Sequence, residues 1–218
     1  MDRKLPANQS VSAYPWREER INVASHAFGL VCSVAALLPL INRAVSHGSA
    51  WYTVSFTVFG ASLVILFAAS TVYHSARDPR VRSRLRVLDH AAIYILIAGT
   101  YTPFTLITLQ GSIGWILFCV AWALALAGIT LKLFFTGRFR KTSTLMYVLM
   151  GWIIVFAIEP LIAGLPQAGL LWLVAGGIAY TLGAVIYSFK KIPFGHAVFH
   201  AFVLMGSGCH FVAIYLYV

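Results

Sequence analysis

The sequence predicts an all-α membrane protein, a single bundle of seven transmembrane helices. Three observations carry this reading. Of 218 residues, 60% are apolar and only 10% are charged, whereas soluble chains average about 45–50% and about 25%. The apolar residues gather into seven stretches, each near the roughly 20 residues a helix needs to cross a bilayer. The Lys and Arg behind the net charge of +10 sit in short clusters between those stretches. Cations confined to connections exclude nucleic acid as a partner and make membrane lipids the expected surroundings.

Taken in order, residues 1–22 read as a polar cytoplasmic tail and 23–218 as the membrane domain. MDRKLPANQSVSAYPWREER has no apolar core of signal-peptide type. Spans are expected at roughly 23–42, 51–74, 87–109, 113–133, 143–163, 169–188 and 196–218. Connections near 110–112 and 164–168 read as tight turns through Gly111, Gly164, Pro166 and Gly169. Within span three, Pro103 of GTYTP should kink the helix, with the Thr100 and Thr102 hydroxyls available to freed carbonyls. Every Lys and Arg except Arg43 falls in the N-terminal tail or in the connections after spans two, four and six. By the positive-inside rule the N-terminus is cytoplasmic and the C-terminus lies on the outer side. Cys32, Cys119 and Cys209 are scattered without CxxC spacing and read as small buried hydrophobes.

Ionisable groups inside spans are costly and mark function. The candidates are His26, His74, Asp89, His90, Glu159, His196, His200 and His210. Depth organises them. Span two ends at the cytoplasmic side with His74, span three begins there with Asp89, and span seven opens there with His196 and His200. The i, i+4 spacing stacks His196 and His200 on one helix face, a spacing that suits two ligands of one metal ion. His74 supplies a third ligand and leaves a fourth position for water, the arrangement of hydrolytic zinc. Asp89 then either takes a proton from that water or binds the metal itself. Ser70, one turn from His74, fits a hydrogen bond to a substrate carbonyl or to the metal's surroundings, and Ser70, His74 and Asp89 can also be drawn as a nucleophilic triad. Glu19, Asn22 and His26 recur on one face of the first helix, either bordering the same site or packing helices together. His90 reads as half solvated at the interface, Glu159 as a rim carboxylate, and His210 as a hydrogen-bonding group too distant along the helix to share the metal.

Four motifs stand in order: Glu19-x2-Asn22-x3-His26, Ser70-x3-His74, Leu88-Asp89-His90 with GTYTP downstream, and His196-x3-His200. Together they resemble the hemolysin III family, the bacterial branch of the progestin and adipoQ receptor group, in a superfamily that includes alkaline ceramidases. The resemblance implies seven helices in the bacterial inner membrane and one zinc ion with a bound water near the inner face. It implies His74, His196 and His200 as ligands, with Asp89 and Ser70 beside the water.

The expected function is metal-dependent hydrolysis of a lipid-like amide or ester. A zinc-stapled sensor of membrane state and a cytolytic hemolysin are the alternatives. An ion transporter fits less well, because acids are almost absent from mid-membrane positions.

Overall fold

Local signals in the connections start the helices where the apolar stretches need them. Ser49 accepts a hydrogen bond from the Trp51 amide at 3.3 Å, a cap for an otherwise unpaired donor. Asp78 accepts from the amides of Arg80 and Val81 at 2.8 and 2.9 Å, and Pro79 occupies the first helical position. Those amides, Val81 first and then Arg80, hold the Asp78 carboxyl below its ordinary range. At the other end of that span, Gly111 tolerates φ 53 without a Cβ penalty, which lets the chain turn back at once.

The computed structural model describes residues 14–135, 140–189 and 192–218, except the side chains of Arg140 and Lys141. Arg3, Lys4, Arg138, Lys190, Lys191 and most of the 1–22 tail lie outside these residues. The helices are α1 (Trp16–Ser46), α2 (Ala50–Ser75), α3 (Pro79–Pro103), α4 (Gly111–Phe135), α5 (Arg140–Trp152), α6 (Ile158–Gly164), α7 (Gln167–Ser188) and α8 (Gly195–Tyr217). No strand occurs among the described residues. Seven spans are long and apolar enough to cross a membrane, with α5 and α6 forming one of them. α1 packs on α2 and α8, α2 on α3, α3 on α4 and α5, and α7 on α5 and α8. In the most apolar stretch of the span containing α3, 72% of the residues are buried, so this span is central. Small residues permit the close approach: a Cβ on Gly99 would meet Ser62 Oγ at 2.5 Å, and one on Gly128 would meet the Tyr94 ring at 2.2 Å.

Two spans depart from regular α-helix. After Pro103 the third span continues as a π-helical stretch, Phe104–Leu109. The Thr100 and Thr102 hydroxyls donate to the carbonyls of Leu96 and Ala98, and Thr105 donates to Tyr101. In the fifth span the ladder tightens to a 3₁₀ turn at Ile153–Ala157. There the Tyr101 hydroxyl accepts from the Ile154 amide and donates to the Gly151 carbonyl, both at 3.0 Å. A side chain of α3 thus takes over two backbone groups of its neighbour. Cys32 and Cys119, expected to be buried, are exposed on the outer faces of α1 and α4. In a bilayer, outward faces are as apolar as inward ones, so a small hydrophobe suits either.

Candidate metal centre

The alternation of spans gathers the start of α1, the end of α2 and the starts of α3 and α8 at one end of the bundle. His74 comes from the last turn of α2, His196 and His200 from the first two turns of α8. Their Nε2 atoms converge. His196 Nε2 lies 3.0 Å from that of His74 and 3.1 Å from that of His200. One nitrogen from each of the three rings lies within 4.8 Å of the others, and His74 and His200 are buried.

Hydrogen bonding alone does not satisfy this cluster. His74 Nδ1 faces Glu19 Oε2 at 2.8 Å, and a carboxylate only accepts, so Nδ1 carries the proton. His200 Nδ1 faces the Asn22 carbonyl at 3.3 Å, with the same consequence. Both rings therefore turn a bare Nε2 lone pair toward His196, whose single Nε2 can donate to one of them only. A cation shared by three lone pairs resolves the conflict. Tetrahedral coordination at about 2.0–2.1 Å places imidazole nitrogens roughly 3.3 Å apart, close to the two spacings observed. The residues fit a metal ion with three nitrogen ligands.

α1 supplies the surroundings. Glu19 Oε2 also accepts from Asn22 Nδ2 at 3.1 Å, and Glu19 pairs with Arg82. The His26 ring stacks on His200, centroids 3.5 Å apart and planes 6° from parallel. Ser25 Oγ sits 3.3 Å from His200 Nδ1. Buried Glu18 accepts from the His196 amide at 3.1 Å, satisfying a donor at the start of α8. Tyr14 stacks on His196 at 4.6 Å. Glu19, Asn22 and His26 thus border the histidines, and Tyr14, Glu18 and Ser25 are additions that the motif spacing does not reveal. A carboxylate that fixes a ligand's tautomer typically contributes 10–100-fold in metal affinity. Glu19→Gln is accordingly expected to weaken metal binding by about 10–100-fold in competition with a chelator; unchanged affinity would remove Glu19 from the site.

Asp89 and Ser70 are buried and line the same cavity, of about 530 Å³, as His196 and His200. Asp89 lies outside the three-histidine group. His90, expected to be half solvated, also lines the cavity, and its Nε2 is 4.0 Å from Asp89 Oδ2. His210 is elsewhere, donating from Nε2 to the Leu173 carbonyl at 3.2 Å, and Glu159 is exposed. Apolar side chains such as Leu66, Ile93, Phe104 and Val203 complete the cavity wall.

Comparison with known proteins is consistent across the chain. A family profile described as Haemolysin-III related matches residues 14–211. The chain is 48% identical over 202 residues to "Hemolysin-3" of Bacillus cereus, covering 93% of this chain and 92% of the relative. It is 46% identical over 201 residues to "Hemolysin-3 homolog" of Bacillus subtilis (strain 168), covering 92% and 94%. A more distant relative is "Monocyte to macrophage differentiation factor" of Homo sapiens, 27% identical over 228 residues, covering 100% of this chain and 91% of the relative.

Proposed function

The chain belongs to the haemolysin-III related family, and from that premise we propose that it is a zinc-dependent hydrolase of a lipid-like amide or ester. It works in the bacterial inner membrane, with the histidine end of the bundle toward the cytoplasm, as the basic connections at that end favour. The observation that supports this best is the convergence of three Nε2 atoms, two of them held as bare lone pairs by partners on Nδ1.

His74, His196 and His200 would hold the ion. Zinc with three protein ligands and an open position supplies Lewis acidity and a nucleophile at neutral pH. The chain's own residues do the remainder. Glu19 keeps the proton on His74 Nδ1, and the Asn22 carbonyl keeps it on His200 Nδ1. Asp89 accepts a proton at its carboxylate from the attacking water and returns it to the leaving group. Ser70 donates a hydrogen bond to the substrate carbonyl. The apolar cavity wall seats an acyl chain and excludes bulk water, which strengthens these polar contacts.

A second reading has its own support: the ligands and their partners come from α1, α2 and α8, so the ion would also staple three helices in a sensor without turnover. Elemental analysis of the purified protein, combined with release of fatty acid from N-acyl amide and ester lipids, decides between them. About one zinc per chain with turnover is the expected result; stoichiometric zinc without turnover on either lipid class favours the staple.

A further inference from the structure

The cavity holds two cations that the hydrolytic reading does not use. Arg86 on α3 and Lys132 on α4 are 8% and 5% exposed, and both line the same cavity as the histidines. Arg86 lies one turn before Asp89, and Lys132 in the last turn of α4. Lys132 Nζ donates to Ser143 Oγ at 2.6 Å. Its ammonium stands 5.9 Å from the Tyr147 ring centroid. Both side chains reach the cavity from helices, α3 and α4, that pack on one another. Among the described residues that line the cavity, Asp89 is the one acid set against them. Buried like charges within membrane spans are expensive and mark a ligand path.

We propose that Arg86 and Lys132 form a subsite for an anionic group, a phosphate or carboxylate, on the ligand that occupies this cavity. Arg86 offers a planar fork suited to two oxygens of such a group, and Lys132 a compact charge. The buried hydroxyls of Ser143 and Thr144, which also line the cavity, lie on the α5 side of it. An anion there meets both cations, while the apolar wall takes the ligand's chain. The proposal deepens the hydrolase reading and rests on it for the cavity being the ligand's seat: it names the substrate class as anionic amphiphiles.

The test uses the full chain in neutral detergent and three probes: dodecyl phosphate, dodecanol and inorganic phosphate. Dodecyl phosphate is expected to bind at least about tenfold more tightly than dodecanol, the size of a charge-assisted contact. Arg86→Gln and Lys132→Gln should each reduce that preference about tenfold and leave dodecanol binding as it was; Lys132→Arg should retain it. Inorganic phosphate binding with the same sensitivity identifies free phosphate as the source of the anion. Binding of the amphiphile alone identifies a lipid headgroup. Equal affinity of wild type for the two amphiphiles overturns the subsite, as does equal loss of both in variants that melt like wild type. Zinc content and turnover, measured on the same samples, separate this failure from that of the hydrolase reading. A subsite lost with zinc and turnover intact condemns only the subsite.

Discussion

Purified His200→Ala is expected to retain less than about one-tenth of the wild-type metal, because losing a ligand costs more than the 10–100-fold of losing a ligand's partner. His200 is the most enclosed of the three histidines, at 1% exposure. Its removal takes away one of three converging lone pairs, the donor to the Asn22 carbonyl and the face on which His26 stacks. Melting should follow. An ion that binds only the folded chain stabilises it by mass action, about 4 kcal/mol at a thousandfold excess over Kd. Wild type should therefore melt at a lower temperature after chelation, whereas His200→Ala should be insensitive to chelator. The variant also loses packing, since an imidazole becomes a methyl group in a close-fitting site. The chelator arm separates the two costs. Full metal occupancy in His200→Ala would show that the three nitrogens do not share an ion.

Asp89→Asn should behave in the opposite way. The carboxylate lies outside the three-histidine group yet lines the same cavity, so metal content is expected to stay at the wild-type level. Hydrolysis should fall by about 10²–10⁴-fold, the usual contribution of a positioned general base. Asparagine keeps the side chain's shape but removes its negative charge and, with it, the capacity to take up a proton. Elemental analysis and initial rates on one lipid amide check both halves. Activity unchanged in Asp89→Asn would remove it from proton transfer and favour the helix-staple reading; metal lost with activity would instead make it a ligand.

The apolar runs carry the positions of the spans. Stretches read at 51–74, 169–188 and 196–218 appear as α2, α7 and α8, Ala50–Ser75, Gln167–Ser188 and Gly195–Tyr217. Where the helices run longer, the extra turns are polar. α1 begins at Trp16 rather than 23 and α3 at Pro79 rather than 87, because the backbone ladder continues whatever the side chains' hydropathy. Acids suit that first turn of α1: Glu18 and Glu19 stand at its positive end. The 3₁₀ break at Ile153–Ala157 left no mark in the sequence, since it depends on a phenol from α3, about 50 residues away.

The histidine pair of α8 was legible from its i, i+4 spacing, and His74 from its depth at the end of α2. Composition, charge clustering and that spacing were enough to determine a seven-span bundle with imidazoles gathered at one end. The rotation of each helix about its own axis was decided only in three dimensions. It aims Glu19 at His74, Glu18 at the His196 amide, the Asn22 carbonyl at His200 and Arg86 into the cavity. The reason lies in the solvent: in water an apolar stripe reveals the inward face of a helix, but in a bilayer lipid and protein are alike apolar. Which way a ring or a carboxylate points is then settled by small residues and close contacts between α1, α2 and α8, and hydropathy carries no trace of it.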